Sequence, residues 1–283
     1  MAETKIICEV ASSHNGDLDL AKAIIKAGAE NSCDFIKFQS WEAKNIPDTD
    51  PDKKRYEKYE FKKEWYKELI PYCQSKGVEF LTSCFNVDRV EFLASLGLKK
   101  IKIASISAFN RDLISRAGAH FEELIVSTGT HTQEEIEDLI DWLATNAQKF
   151  TIMACTAEYP CPLEHAGLAR IDSLKEITKD MEYASVGYSD HSLDLDVAKT
   201  AIAMGVKYLE KHFSLSRYLP QIPHQMFENG PLITTHQVSI EPHELRELAD
   251  WRDKVELMKS NGEFQNYKIE NKIKDRYLRR YGV

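Results

Sequence analysis

The sequence predicts an α/β chain, and within that class a closed (β/α)8 TIM barrel, on three observations. Apolar runs of four to six residues alternate strictly with amphipathic stretches at helical spacing, giving eight βα units. That order dictates parallel strands, because each helix carries the chain back to the same end of the sheet. Eight is also the strand number that closes on itself around a side-chain-filled interior. The 283 residues suit one such barrel, which typically takes about 250. A doubly wound open sheet is the alternative, but no G-x-G-x-x-G follows the first strand to support a dinucleotide fold.

The elements follow in order. Ile6–Val10 is the first strand, and Asp17-Leu18-Asp19 opens a helix reaching about Asn31, with Leu20, Ala21, Ile24, Ile25, Ala27 and Gly28 at helical spacing. Phe35–Phe38 is the second strand. The connection from Gln39 to Phe61, with Pro47 and Pro51, is too long for an ordinary βα turn; it reads as a functional lid or as a surface insertion. Helix Lys62–Lys76 ends at Gly77, suited to a left-handed C-cap, and strand Val78–Thr82 follows. Val87–Leu96 ends at Gly97 in the same way before strand Lys100–Ala104. Arg111–Gly118, strand Leu124–Ser127 and helix Thr132–Asn146 come next, the last opened by Thr132 and Glu135 in capping-box spacing. Strand Phe150–Ala154, helix Ile171–Thr178, strand Ala184–Gly187, helix Leu195–Met204, strand Tyr208–Lys211 and helix Pro242–Lys259 complete the set. Residues 1–260 are therefore expected to form the barrel domain. Residues 261–283, basic near their end (Lys272, Lys274, Arg276, Arg279, Arg280), form an extension or linker stub.

Composition narrows the function. The net charge is 37 − 45 = −8 and the acids are scattered, so nothing attracts nucleic acid by bulk charge. An anionic substrate would need a local basic pocket against this field. No apolar run approaches the ~20 residues of a membrane span, and no signal-peptide core follows Met1. The six cysteines (Cys8, Cys33, Cys73, Cys84, Cys155, Cys161) show no CxxC pair, which reads as buried free thiols in a reducing, cytoplasmic setting.

In a parallel barrel the C-terminal strand ends face the active site. Those ends offer Glu9 and Ser12 to Asn15; Lys37 and Gln39; Thr82 and Ser83; Lys102 and Ser105; Ser127 to Gly129; Cys155 and Thr156, with Tyr159 beyond; Ser189 to His191; Glu210 and His212. Lysines inside the apolar runs I-K-F-Q and I-K-I-A are costly unless an anion compensates them. With the hydroxyls of Ser83, Ser105 and Ser127 they suit a phosphate or carboxylate; the alternative is pairing with structural carboxylates such as Glu9 or Glu210. His191 and His212 end neighbouring parallel strands, an arrangement able to hold a divalent metal; the alternative is two unrelated histidines. Cys155 lacks an obvious histidine partner and reads as a structural thiol rather than a nucleophile. His14 in S-S-H-N-G is expected to bind substrate, or to shape the loop with Gly16 at positive φ. His120, His131, His165 and His243 read as solvated.

The ordered motifs I-I-C-E-V-A-S-S-H-N-G-D-L-D-L-A, I-K-F-Q, K-I-A-S, S-T-G, C-T-x-x-Y-P, G-Y-S-D-H-S, E-K-H-F and S-I-E-P-H-E-L, running from Ile6 to Leu245, resemble the sialic acid (N-acetylneuraminate) synthase family. The resemblance implies condensation of phosphoenolpyruvate with an N-acylated amino sugar aldehyde, N-acetylmannosamine or a relative, to a 2-keto sugar acid and phosphate. It implies Mn²⁺ or Mg²⁺ on His191 and His212, and Glu9, Lys37, Lys102 and Glu210 as catalytic groups. Gln39, Ser83, Ser105, Ser127, Tyr159 and Ser189 would be substrate-binding. A non-catalytic sugar- or phosphate-binding relative and an aldolase on the same barrel are the rival readings.

The chain departs from the family pattern in places. S-T-P-F appears as Thr82-Ser83-Cys84-Phe85, and K-I-A-S-G-[D/E] as Lys102-Ile103-Ala104-Ser105-Ile106-Ser107. Ala154 and Ala157 alter H-C-T-[S/N]-x-Y-P, and L-P-G-P-D-H is replaced by Leu219-Pro220-Gln221-Ile222-Pro223-His224, without its aspartate. The family's C-terminal antifreeze-like domain, which supplies an arginine to the partner's site, has no counterpart here. The resemblance implies a homodimer or a partner that brings the lid; the alternatives are that the tail Arg276–Arg280 compensates or that the site stays open.

Overall fold

A computed structural model describes residues 3–225, 230–259 and 267–282. Eight parallel strands, β1 (Lys5–Glu9), β2 (Phe35–Ser40), β3 (Glu79–Cys84), β4 (Lys100–Ile103), β5 (Glu123–Ser127), β6 (Phe150–Cys155), β7 (Ala184–Asp190) and β8 (Tyr208–His212), close in sequence order. The seam pairs β1 with β8, Ile7 opposite Glu210 and Glu9 opposite His212. The expected α/β class and (β/α)8 barrel hold, and the strand positions agree to within two residues at each end except for β7, which runs three residues beyond the expected Gly187 to Asp190.

Alternation along each strand separates two cores. Outward residues such as Ile6, Cys8, Ile36, Phe38, Ile101, Ile103, Leu124 and Val126 pack under α1 (Leu18–Glu30), α3 (Lys63–Ser75), α4 (Val87–Ser95), α5 (Arg111–His120), α6 (Gln133–Asn146), α7 (Ala169–Ile177), α8 (Asp196–Ala203) and α9 (Pro242–Lys259). Inward residues Ile7, Phe35, Leu81, Ile125, Met153 and Tyr208 form a separate apolar layer inside the barrel. Such interior layers make a TIM barrel a packed core rather than a pore. The inward positions above this layer, toward the C-terminal strand ends, are the polar ones.

The helix termini follow the sequence signals. Asp17 accepts from the backbone of Asp19 and Leu20 at the start of α1, and Thr132 and Glu135 close the capping box of α6. Gly77 and Gly97 take positive φ where α3 and α4 end, a conformation that only glycine adopts without strain. At Gly118 the constraint is space: a Cβ there would overlap the Asn146 carbonyl oxygen and stand 2.8 Å from its carbon. Backbone cannot yield as a side-chain tip can, so Gly118→Ala is expected to destabilise the α5–α6 contact by about 3 kcal/mol. A urea midpoint indistinguishable from wild type would refute that close approach.

Two segments roof the C-terminal end. The long β2–α3 connection holds a 3-10 turn, Ala43–Asn45, and a helix the sequence did not reveal, α2 (Lys53–Tyr59). After β8 come a short antiparallel hairpin of β9 (His224–Gln225) and β10 (Leu232–Ile233) and a 3-10 turn at Thr235–Val238. The two segments meet where the Ile222 N–H donates to the Tyr59 hydroxyl at 2.7 Å, and Asn15 ties the β1 loop to the Pro220 carbonyl, also at 2.7 Å. The connection therefore lies across the barrel mouth, as a lid does. The extension expected at 261–283 falls partly outside the described residues. Its described part is α10 (Lys268–Tyr281), exposed along its whole length. Among the described residues no helix is long and apolar enough to cross a membrane.

Candidate active site

Strand alternation brings most of the expected side chains into one buried cluster above the apolar layer. Glu9, Lys37, Ser83, Lys102, Ser127, Ser189 and Glu210 are all buried. Lys37 forms an ion pair with Glu9 and lies 3.4 Å from Glu210, while its Nζ donates to Ser83 Oγ at 3.1 Å. Lys102 Nζ donates to Ser127 Oγ at 2.7 Å and to Glu210 Oε1 at 3.2 Å, and Ser189 Oγ donates to the same oxygen at 3.0 Å. Glu210 thus stands between the two ammonium groups and holds both. The structural pairing expected for the lysines is real, but it leaves Glu9 Oε1 and Glu210 Oε2 without a hydrogen-bond donor.

The electrostatics separate the two carboxyls. Burial pushes Glu9 above its ordinary range despite Lys37, with the charge of Glu210 adding to the shift. Burial acts the same way on Glu210, yet Lys102 and Lys37 outweigh it and hold this carboxyl down to about 2. Burial lowers Lys102, whereas at Lys37 the attraction of Glu210 and Glu9 overcomes burial and raises it. Two carboxyls with opposed environments are a means of keeping one ionised while the other carries a proton. With Glu9 protonated, the two ammonium groups exceed the one remaining carboxylate, and the cluster favours an anion.

Beside this cluster the rings of His191 and His212 stand 5.5 Å apart, centroid to centroid. His191 Nδ1 lies 2.8 Å from the Thr156 carbonyl; a carbonyl can only accept, so Nδ1 carries a proton and Nε2 is the acceptor nitrogen of the ring. Nε2 accepts from the Tyr159 hydroxyl at 2.7 Å. His212 Nδ1 is buried with no hydrogen-bond partner. Burial, reinforced by His191, keeps His212 well below the ordinary imidazole range and so neutral, the form a metal requires. The ring spacing can be spanned by two metal–nitrogen bonds of about 2.1 Å. Among the described residues no third His, Cys, Asp or Glu completes a ligand group. The donor set therefore fits an open site that leaves positions for water and substrate oxygens.

Two residues hold these imidazoles in place: Lys211, which the sequence reading did not single out, and Asp190, which was expected at the strand end to face the site and instead points outward to Lys211. Lys211 and Asp190, chain neighbours of His212 and His191, form an ion pair at 2.7 Å, both about 1 % exposed, and Asp190 also accepts from the Ser192 backbone and hydroxyl. The pair clamps β7 to β8 outside the barrel while its neighbours point inward. The period-two pattern of Y-L-E-K-H would have revealed it. Cys155 also differs from expectation: its Sγ stands 4.0 Å from His191 Nδ1 and 3.8 Å from Ser105 Oγ. It has the histidine neighbour the sequence did not show.

Other expectations sort less evenly. Ser105 lies at the rim, half-buried, accepting from the Gly129 N–H at 3.0 Å. Gln39 reaches the end of β2 opposite Ser83, but its side chain joins no hydrogen bond among the described residues. His131 is not simply solvated; it stacks on Phe109 at 3.8 Å. His14 is a correction. It is 1 % exposed, ringed by Phe38, Phe61 and Trp65, and its Nδ1 accepts from the Gly16 N–H, so it shapes the loop and Gly16 does take positive φ.

Burial lowers His14 from 6.5 to about 4. The unfolded chain takes up the proton first, so this contribution to stability is complete above pH 6.5 and disappears as the pH falls toward 4. The loss amounts to about 3 kcal/mol. In His14→Gln, urea midpoints should fall less steeply over this pH window than in wild type; an unchanged slope would exclude His14 as the titrating group.

With the geometry in place, comparison adds an independent line. The profile of the family described as NeuB matches residues 24–264. The chain is 33 % identical over 290 aligned positions to the N,N'-diacetyllegionaminic acid synthase of Campylobacter jejuni, covering 96 % of this chain and 82 % of that protein. It is 30 % identical to the pseudaminic acid synthase of Helicobacter pylori, covering 79 % of this chain and 69 % of that one. Among solved structures, the N-acetylneuraminic acid synthetase of Leptospira borgpetersenii superposes with a TM-score of 0.86 at 26 % identity, over 98 % of this chain and 92 % of that one.

Proposed function

The chain belongs to the NeuB family, and from that premise we propose that it condenses phosphoenolpyruvate with an N-acylated amino sugar aldehyde, giving a sialic-acid-type 2-keto sugar acid and inorganic phosphate. The observation that carries this reading is the pair of strand-borne lysines, Lys37 and Lys102, facing one another across Glu210 beneath two imidazoles. A phosphorylated carboxylate fits such a pair. One ammonium can face each anionic group, and Ser83 and Ser127, which now accept from the lysines, keep hydroxyl protons free to donate.

In the proposed reaction, carbon 3 of the enol ester attacks the aldehyde carbon. The new C–C bond leaves an alkoxide, which takes up a proton. Water adds at carbon 2, and the tetrahedral adduct expels phosphate by C–O cleavage to leave the ketone. Glu9 would hold and move the proton: it is buried, its Oε1 has no partner, and burial with the charge of Glu210 raises its carboxyl above the ordinary range despite Lys37. Glu210 stays ionised and fixes both lysines. Tyr159, against His191, lines the acceptor side. A divalent metal, Mn²⁺ or Mg²⁺, on His191 and His212 would supply Lewis-acid polarisation of the aldehyde. The six free, buried thiols support a cytoplasmic setting.

The test is phosphate release from phosphoenolpyruvate with Mn²⁺ and a panel of N-acylated hexosamines. Release that depends on the acceptor is the expected result. Metal-loaded protein that releases none with any acceptor would sink the condensation.

A further inference from the structure

Six lysine and arginine side chains are buried in the described structure: Lys37, Arg55, Arg89, Lys102, Lys211 and Arg252. Five have a carboxylate partner. Lys37 has Glu9 and Glu210, Lys102 has Glu210, Lys211 has Asp190, Arg89 has Glu42 at 3.1 Å, and Arg252 has Asp34 at 2.9 Å. Arg55 is the exception: it forms no ion pair among the described residues, and its Nε is buried without a hydrogen-bond partner. Asp52, on the preceding turn, is felt only at a distance, and burial lowers the guanidinium's affinity for its proton. The rings of Tyr56 and Tyr59 stand 5.8 and 5.9 Å from the guanidinium, a partial offset at best. A buried cation without a counter-charge is costly, and it is tolerated most readily where a ligand brings the missing charge.

The surroundings of Arg55 say where that ligand lies. Its Nη2 donates to Ser12 Oγ at 3.4 Å, and Ser12 is three residues beyond Glu9, on the loop leaving β1. Gln221 Nε2 donates to the same oxygen at 2.9 Å and to Thr235 Oγ1 at 2.9 Å, while Gln221 Oε1 accepts from the Thr235 N–H at 2.8 Å. The amide is thereby oriented with its NH2 toward the two hydroxyls. Three segments of the mouth converge here: the β1 loop, α2, and the chain after β8. Both amide protons of Gln221 are engaged, and the Thr235 hydroxyl donates back to Gln221 Oε1 at 3.0 Å. The donors left for a ligand are the guanidinium, whose Nε has no partner, and the Ser12 hydroxyl, a pair that suits an anion.

We propose that Arg55, with the Ser12 hydroxyl that Gln221 and Thr235 hold in place, binds an anionic group, a phosphate ester or a carboxylate, on the acceptor aldehyde at the end remote from the reacting carbon. This deepens the condensation reading and rests on it. It also meets the difficulty that the chain's net charge of −8 poses for an anionic substrate, by placing at the entrance a positive charge that has no ion-pair partner among the described residues. The competing account is that Arg55 only pins α2 across the mouth. A pin would affect every acceptor equally.

The experiment measures kcat/KM for three acceptors at fixed phosphoenolpyruvate and Mn²⁺: N-acetylmannosamine, its 6-phosphate, and the corresponding uronic acid. One charge-assisted contact predicts that an anionic acceptor exceeds the neutral one by about thirtyfold, and the better of the two anions identifies the group. Arg55→Gln is expected to bring that ratio close to one. Ser12→Asp, which sets a carboxylate beside the guanidinium without removing it, is expected to do the same and serves if Arg55→Gln fails to fold. A wild-type ratio near one, or a ratio unchanged in both variants, overturns the anion subsite and leaves the condensation standing. Turnover with none of the three acceptors overturns the condensation, and the subsite with it.

Discussion

Glu210→Ala is expected to abolish phosphate release, by about 10³-fold or more, and to cost about 3–5 kcal/mol of stability, the range for removing one partner of a buried ion pair. The reason is geometric. Glu210 is the one carboxylate that touches both Lys37 and Lys102, and it also accepts from Ser189. Without it two ammonium groups share a buried space with only Glu9 to compensate them, and Glu9 is the carboxyl that burial drives toward its neutral form. The lysines then separate or lose a proton, and neither outcome preserves a cradle for a doubly anionic substrate. Glu210→Gln distinguishes charge from shape, because the amide oxygen can still accept from both lysines. It should retain much of the stability and little of the activity. A Glu210→Ala protein with near-wild-type kcat/KM would remove Glu210 from the machinery altogether.

His212→Ala is expected to eliminate bound Mn²⁺ and reduce turnover by about 10³-fold, since Lewis-acid polarisation is worth several kcal/mol. His191 alone offers a single nitrogen, and among the described residues no third donor group stands ready to replace the lost imidazole. Elemental analysis gives a readout independent of catalysis: about one metal per wild-type chain after dialysis, and none in the variant. A further readout is thermal. Wild-type protein should melt higher as Mn²⁺ is added, because a ligand bound only by the folded state stabilises it by mass action, and the variant should not respond. Retention of metal and activity by His212→Ala would show that the imidazole pair is not the metal site.

The barrel was legible because strands buried on both faces read as apolar runs, and anything else within such a run stands out. Lys37 and Lys102 interrupt I-K-F-Q and I-K-I-A, and the structure places both at the centre of the candidate site. Glu210, His191 and His212 were found by the same reasoning about strand ends. The roof was not legible. α2 is seven residues of K-K-R-Y-E-K-Y, and only Arg55 and Tyr59, one turn apart, are buried. In a polar loop an arginine reads as solvated, and two-residue strands such as β9 and β10 fall below any detectable period. Lys211 was missed, and Asp190 read as facing the site, for a different reason. Attention to inward-facing residues leaves out those facing the helices, where a buried ion pair can fix the direction of its neighbours.

The apolar layer of Ile7, Phe35, Leu81, Ile125, Met153 and Tyr208 has a consequence for traffic. Every member is at most 5 % exposed, so among the described residues the barrel is closed just beneath its charged cluster, which leaves the mouth at the C-terminal strand ends as its door. Sugar, enol ester, water and both products share that door, and α2 and the chain after β8 stand across it. A product still in the chamber blocks the next substrate, so the order of entry and exit is imposed by the architecture. Slowing the door should therefore slow the enzyme even with the chemistry untouched.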